Sequence, residues 1–230
     1  MKLRPTRGGF RLSEHGVVVS EMRLQPGPTH SVFDVLAALV ALARPAGRVG
    51  ILGFAGGGMM APLRRLGCSA AVEAVDLDRG SYELFARHCS AWAGPVEWHH
   101  GDAVEWLRFQ EGRFDVLVED LSVPHAGDVF KPQISWDVLP KLMGERMSSG
   151  GVAILNQIPL ASGGWPRSWP GLGKEVGPVV TVRLEDFENR IVVVGQSMGT
   201  ARALGVRIRA CLRELGSRQA NRVRVCTGIV

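Results

Sequence analysis

The sequence has no long apolar run, and this absence excludes several classes of protein. The longest candidate, from Val32 to Ala43, is interrupted by Asp34 and is shorter than the ~20 residues that a transmembrane helix needs. The first residues, MKLRPTRGGFRL, are basic but lack the apolar core of a signal peptide. We therefore expect no association with a membrane and a cytoplasmic location.

Cysteines are few and carry no recognisable ligand spacing. The four show neither a CxxC pair nor a Cys/His pattern: Cys68, Cys89, Cys211 and Cys226. Scattered cysteines of this kind are typical of reduced thiols in a reducing compartment. His99 and His100 are neighbours on a predicted strand, so their side chains point to opposite faces. The sequence therefore predicts no metal site and no disulfide framework.

Acidic residues are scarce at the C-terminal end, where the net charge of +5 is concentrated. Aromatic residues that could stack on bases are absent between Ala201 and Val230, so we do not expect nucleic-acid binding. A solvated helix face, a subunit interface and intramolecular pairing with acidic groups remain the alternatives. Against one acid, Glu214, this segment carries seven arginines: Arg202, Arg207, Arg209, Arg213, Arg218, Arg222 and Arg224.

Glycine, in contrast, is abundant, and its densest cluster lies in the stretch from Val49 to Asp78. This stretch joins a buried strand, a glycine-rich turn, a helix and a second strand that ends in carboxylates. Asp76 follows the turn by about 20 residues, where an acidic side chain can accept hydrogen bonds from ribose hydroxyls. The pattern predicts a nucleoside site; the alternative is a plain strand-turn-helix connection with an exposed Asp. The glycines that leave room for a ligand are Gly53, Gly56, Gly57 and Gly58.

Strands and helices alternate along most of the chain, which predicts a parallel sheet with helices on both faces. The predicted strands are Arg48 to Phe54, Ala71 to Asp76, Val96 to His100, Phe114 to Asp120 and Val152 to Gln157. Two further segments, Val179 to Leu184 and Ile191 to Gly195, indicate an antiparallel strand pair, followed by a helix from about Thr200 to Leu215. An antiparallel end to a parallel sheet is typical of methyltransferase-like folds. A β-branched strand from Gly16 to Met22 indicates a small N-terminal β appendage.

Polar residues follow the predicted strands at their carboxyl ends, where ligands bind in such sheets. Asp102 could accept a hydrogen bond from an adenine amino group or cap the following helix. Asp120 closes the buried run FDVLVED, so it must be solvated, paired or used in chemistry. His125 and Asp128, in the next loop, are candidate proton carriers or ordinary loop residues.

These residues resemble the spermidine synthase family, the polyamine aminopropyltransferases, within the class of AdoMet-dependent methyltransferase folds. The resemblance runs from Gly50 to Gln157 through four segments: GFAGGG, VDLD, GDAVEWL with RFDVLVED, and SGGVAILNQ. It implies an α/β, Rossmann-like fold with a mostly parallel seven-stranded sheet, a C-terminal antiparallel pair and an N-terminal β appendage. We assign residues 1–30 to the appendage and residues 31–230 to an AdoMet-binding catalytic domain. The resemblance also suggests a homodimer.

The resemblance implies roles for individual residues. Asp76 would bind the ribose, Asp102 and Ala103 would hold the adenine, and Asp120 would deprotonate the attacking group; His125 is a second catalytic candidate. The implied cofactor is S-adenosylmethionine or its decarboxylated form. Its predicted contacts are Gly53, Ala55, Gly56, Gly57, Asp76, Leu77, Asp102 and Ala103.

Two departures from the family separate the possible reactions. The family has an aspartate inside the glycine turn where this sequence has Gly56, and a second aspartate where this sequence has Val123. Both carboxylates would face cationic amines, and a buried amine without a counter-charge is costly. Glycine N–H groups near a helix start would instead favour the carboxylate of AdoMet. We therefore expect methyl transfer to an unidentified small molecule, by a small margin over aminopropyl transfer; a non-catalytic nucleoside-binding scaffold is a further alternative.

The segment GGWPRSWPGLG contains Trp165 and Trp169 between Pro and Gly residues. Such a loop could form a lid, contact a partner, or pack its indoles onto the body of the protein.

Overall fold

A computed structural model describes residues 2–125, 127–159, 165 and 177–228. The chain begins with a three-stranded antiparallel sheet in the order β1 (Lys2–Thr6), β2 (Gly9–Glu14) and β3 (Val17–Arg23). The predicted strand corresponds to β3, and the two strands before it were not predicted. Leu12 and Met22 are fully buried in the same core cluster as the larger sheet, so the N-terminal sheet packs directly on the body. The boundary at residue 30 stays a prediction.

The remaining elements follow each other in the expected alternation. In chain order they are α1 (Val32–Ala43), β4 (Val49–Leu52), α2 (Met60–Arg65), β5 (Val72–Asp76), α3 (Arg79–Ala93), β6 (Val96–His100), α4 (Ala103–Arg108), β7 (Phe114–Glu119), β8 (Val123–His125), β9 (Asp128–Phe130), α5 (Ile134–Asp137), α6 (Leu139–Arg146), β10 (Met147–Gln157), β11 (Val179–Leu184), β12 (Arg190–Val194), α7 (Ala201–Leu215) and β13 (Val223–Thr227). β8 and β9 form a short hairpin.

The main sheet has the order β13-β11-β12-β10-β7-β4-β5-β6. The five strands from β10 to β6 are parallel, while β12, β11 and β13 continue the sheet antiparallel. The predicted antiparallel pair is therefore present. The prediction of seven strands is wrong by one, because β13 lies in the segment that we interpreted only by its arginines. In β13, Val223 and Val225 pack on the core, whereas Arg224 alternates with them and is exposed.

Both faces of the parallel strands are covered, which explains why their sequences are almost continuously apolar. Val116 and Val118 of β7 pack in the core cluster that includes α1 and α7, and Leu117 between them packs in the cluster that includes α6. The alternation follows from the period of two along a strand. Because β4, β5, β6, β7 and β10 are parallel, their carboxyl ends meet at one edge of the sheet.

Several arginines of the C-terminal segment bind within the chain. Arg207 donates hydrogen bonds to the backbone oxygens of Leu42 and Met198, which ties α7 to the end of α1. Arg222 and Arg224 form ion pairs with Asp186 and Glu185. Intramolecular pairing, one of the three alternatives for the basic segment, is therefore present for these residues.

No helix in the described part of the chain combines the length and the apolar character required to cross a membrane. All four cysteines have free thiols.

Candidate functional site

A cavity of about 1010 Å³ opens where the parallel strands end. Its walls come from the segments that follow β4, β5, β6, β7 and β10, and from the N-terminal sheet, which closes the opposite side through Val18 and Ser20. This is the edge at which open α/β sheets bind ligands. Of the ten predicted site residues, the cavity brings together Gly53, Ala55, Gly57, Asp76, Leu77, Asp102, Ala103 and Asp120.

The glycine turn after β4 adopts a conformation that its sequence explains. Gly53 has a φ of +89°, and a side chain there would begin 2.8 Å from the backbone oxygen of Asp120. Gly57 has a φ of +65°, and a Cβ atom there would lie 2.6 Å from the Phe85 ring. Both positions therefore need glycine, for backbone conformation and for space. The turn therefore lies against the end of β7, the neighbour of β4 in the sheet, and against Phe85 of α3.

Ala55 has a φ of +44°, which is uncommon for a residue with a side chain. Its N–H donates a 2.7 Å hydrogen bond to Oδ2 of Asp76, while Oδ1 of Asp76 accepts one from the N–H of Asp78 at 2.8 Å. Asp76 thus joins the end of β5 to the glycine turn. Each of its oxygens retains acceptor capacity.

Leu77, after β5, and Asp102, after β6, also line the cavity. Leu77 is 71% exposed, which is unusual for a large apolar side chain beside a cavity. Asp102 is the N-cap of α4, because its Oδ1 accepts hydrogen bonds from the N–H groups of Val104 and Glu105 at 2.8 and 3.0 Å. The capping role is therefore present, and adenine contact by Asp102 and Ala103 stays a prediction.

Gly56 is covered by the N-terminal sheet, which sequence reasoning did not foresee. A Cβ atom there would lie 3.0 Å from Cδ2 of Leu12 and 3.2 Å from Oγ of Ser20. Ser20 is 1% exposed, and its Oγ has no hydrogen-bond partner among the described residues. An aspartate at position 56 would therefore require Leu12 to move. The absence of a side chain at Gly56 thus lets the N-terminal sheet pack closely on the turn.

Asp120 follows β7 and lines the same cavity, next to the glycine turn. Its Oδ1 accepts a 2.6 Å hydrogen bond from Nδ2 of Asn156, and Oδ1 of Asn156 accepts one from Nδ2 of Asn189 at 2.9 Å. Burial raises the pKa of Asp120 to about 6, although Lys131 and the bond from Asn156 act in the opposite direction. A carboxyl with this pKa is largely ionised at neutral pH and is a better proton acceptor than an ordinary aspartate.

A buried ion pair directly precedes Asp120 in the chain, and the sequence analysis missed it. Glu119 is completely buried and accepts hydrogen bonds from Nζ of Lys131, from Oγ of Ser135 and from Nε2 of Gln157. Nζ of Lys131 also donates to the backbone oxygen of Leu121 at 2.6 Å. The pair fixes the chain as it leaves β7. The sequence did contain a signal for this pair: a glutamate ends an apolar strand, and a single lysine follows in the next loop.

The other predicted residues have mixed outcomes. His125 lies in β8, but its side chain is outside the described part of the chain, so its catalytic role stays a prediction. Asp128 is exposed and is not among the residues that line the cavity. Val123 lines the cavity and is 50% exposed. The ring of Trp165 contacts Arg190, whose guanidinium carbon lies 4.0 Å from the ring centre, and Trp169 lies outside the described residues.

Comparison with known proteins gives matches among solved structures alone. No protein-family model matches the sequence, and no curated protein matches it. The chain is similar to a probable spermidine synthase from Corynebacterium glutamicum ATCC 13032, at 16% identity and a TM-score of 0.71, over 98% of this chain and 86% of that chain. It is also similar to human methyltransferase-like protein 13 in complex with SAH, at 18% identity and a TM-score of 0.56, over 82% of this chain and 92% of that one.

A third similar structure is spermidine synthase from Thermotoga maritima, at 12% identity and a TM-score of 0.57, over 82% of this chain and 65% of that one. At these identities the likeness shows the fold. The chain has the Rossmann-like fold that these methyltransferase and spermidine synthase structures share, which confirms the predicted fold class. The first alignment leaves out so few residues that it includes the N-terminal sheet.

Proposed function

We propose that this chain is an AdoMet-dependent transferase that methylates a small-molecule acceptor. The observation that carries the proposal is the cavity itself, which is lined both by the glycine turn with Asp76 and by Asp120. Residues suited to bind a nucleoside and a carboxylate suited to accept a proton thus line the same cavity. That arrangement is what group transfer from a nucleoside-bearing donor requires.

The glycine turn, Asp76 and their neighbours in the cavity lining fit the nucleoside part of AdoMet. Asp76 has acceptor capacity left for ribose hydroxyls, and it is held in place by the N–H groups of Ala55 and Asp78. Leu77 offers an exposed apolar surface to an adenine ring, next to Asp102 and Ala103. The turn residues Gly53, Ala55 and Gly57 would adjoin the amino-acid end of the cofactor, whereas Gly56 is covered by the N-terminal sheet and does not line the cavity. AdoMet, when bound, supplies a methyl group that its sulfonium centre activates.

Asp120 is the residue that we assign to proton transfer. With a pKa of about 6 it is ionised at neutral pH and accepts the proton that the acceptor loses as the new bond forms. Asn156 fixes the orientation of the carboxylate through its 2.6 Å hydrogen bond. In the described part of the chain, His, Cys, Asp and Glu side chains form no group of three or more that could hold a metal ion.

The packing at Gly56 supports methyl transfer over aminopropyl transfer. The family aspartate at this position would meet Leu12 and Ser20, so the turn offers no carboxylate to the amine of decarboxylated AdoMet. Aminopropyl transfer is the second candidate, and one observation favours it. The fold of the probable spermidine synthase matches this chain over 98% of its length, the N-terminal sheet included.

Calorimetric titration with S-adenosylhomocysteine tests the nucleoside site. We expect one site per chain, and binding at least roughly tenfold weaker in Asp76→Asn, because a carboxylate hydrogen bond contributes about 1.5–3 kcal/mol. Asp137→Asn is the matched control, since Asp137 is exposed on α5 outside the cavity lining. Absence of binding to the unmodified chain would refute the proposal.

A further inference from the structure

Three arginines lie side by side across the antiparallel end of the main sheet. Arg183 of β11 is directly opposite Arg190 of β12 on one side and Arg224 of β13 on the other. Residues that are directly opposite on neighbouring strands share a face, and like charges in that position are unfavourable. The row therefore needs a compensating negative charge.

The chain supplies that charge to one arginine of the row. Arg224 donates from Nε and Nη2 to Oε1 of Glu185, at 3.0 and 2.9 Å. Neither Arg183 nor Arg190 forms an ion pair with any residue that the structure describes. Burial and the charge of Arg183 lower the pKa of Arg190, and its guanidinium lies over the Trp165 ring. These two adjacent cations thus have no ion-pair partner within the described part of the chain.

A second, smaller cavity of about 250 Å³ opens at these two arginines. Its described lining includes Arg183, Arg190 and Trp165, with Glu188 as the single acidic residue. Phe187 and Asn189 line both this cavity and the large one. The arginine cavity therefore adjoins the site.

The connection leads to the side of the site where Asp120 lies. Asn189 donates to Asn156, and Asn156 donates to Asp120, so a hydrogen-bonded chain runs from the carboxylate to the residue before Arg190. The large cavity also has apolar lining residues, and Val123 occupies the position of the second family aspartate. These apolar residues include Val123, Pro124, Val129, Ile134, Ile158 and Phe187.

We propose that Arg183 and Arg190 bind an acidic group of the acceptor, which is an anionic small molecule with an apolar body, bearing a carboxylate or a phosphate. This inference rests on the proposed function, because it assigns the substrate class of the same site. Guanidinium groups bind carboxylate and phosphate oxygens through paired, charge-assisted hydrogen bonds. The body of such a molecule would pack against the apolar lining residues, with its reacting group at Asp120. The charge of the acceptor is thus opposite to that of a polyamine.

Calorimetric titration of the chain saturated with S-adenosylhomocysteine tests this inference with four probes: 4-hydroxybenzoate, phenyl phosphate, phenol and 1,4-diaminobutane. We expect one or both anionic probes to bind roughly 10- to 100-fold more tightly than phenol, from the typical strength of charge-assisted hydrogen bonds. The tighter of the two anions identifies the acidic group. We expect the diamine not to bind.

The variant Arg183→Gln/Arg190→Gln should bind the anions no better than phenol and should bind S-adenosylhomocysteine as the unmodified chain does. Arg224→Gln is the matched control, because it removes an arginine of the same row that Glu185 already neutralises, and it should retain the preference for anions. Equal binding of phenol and the anions, failure of both anions to bind, preference for the diamine, or an undiminished preference in the double variant would overturn the inference. Failure of S-adenosylhomocysteine to bind would contradict the proposed function instead.

Discussion

Lys131 donates hydrogen bonds to both carboxylate oxygens of Glu119, at 2.7 and 2.8 Å, with both side chains almost completely buried. The same ammonium group holds the backbone oxygen of Leu121, so all three of its donors are used. The pair therefore anchors the two ends of the segment from residue 119 to residue 131, several residues of which line the cavity. Asp120 lies between Glu119 and Leu121 and owes its position to this anchor.

Removing one partner of this pair should destabilise the protein strongly. Lys131→Met leaves the Glu119 carboxylate buried without a counter-charge, and we expect a loss of about 3–5 kcal/mol in the free energy of unfolding. Glu119→Gln/Lys131→Met removes both charges and should recover a large part of that loss. Urea denaturation measures both values. A single variant as stable as the double variant would contradict the importance of the pair.

Asp120→Asn should abolish transfer while leaving cofactor binding nearly unchanged. The amide can still accept the hydrogen bond from Asn156 but cannot take up the proton of the acceptor. The assays are release of S-adenosylhomocysteine in the presence of the acceptor and calorimetric titration with AdoMet. If turnover survives the substitution, Asp120 is structural and the mechanism is wrong.

The raised pKa of Asp120 should also appear in the pH dependence of stability. The folded-state pKa of about 6 exceeds the unfolded value of about 4, so protonated Asp120 stabilises the fold below pH 4, and this stabilisation is lost as the pH rises to about 6. Asp120→Asn has no such loss. Its stability relative to the unmodified chain should therefore rise between pH 4 and 6, by up to about 3 kcal/mol, because each unit of pKa difference corresponds to about 1.4 kcal/mol. Above pH 6 the difference should stay constant. Urea denaturation at several pH values measures the difference, and a difference that does not change with pH would show that the pKa is not raised.

Gly57→Ala tests the shape of the glycine turn. The substitution combines a φ of +65° with a Cβ atom 2.6 Å from the Phe85 ring, so it should lower stability by about 1–3 kcal/mol and weaken nucleoside binding. Gly67→Ala is the matched control, because Gly67 has a φ of +78° but open space around its Cβ position. It should show backbone strain alone, with unchanged binding of S-adenosylhomocysteine. Equal effects of both variants on binding would show that the turn has no special role.

The sequence predicted those parts of the fold and site that depend on local patterns. The strand-turn-helix unit around Gly53, the carboxylate of Asp76 and the position of Asp120 at a strand end all follow from apolar runs and the residues that end them. The pair Glu119–Lys131 and the closure of Gly56 by Leu12 could not be predicted, since each joins distant segments through tertiary packing. β13 was missed for a related reason: it is short, with Arg224 between two core valines, and what identifies it as a strand is its pairing with β11.

The most direct test of the account is a parallel calorimetric titration with AdoMet and with decarboxylated AdoMet, which differ in a single carboxylate. The turn at Gly56 carries no acidic side chain, and Leu12 and Ser20 leave little room for one. We predict that AdoMet binds more tightly than the decarboxylated form. Preference for decarboxylated AdoMet would contradict methyl transfer and favour aminopropyl transfer, and binding of neither would contradict the nucleoside site itself.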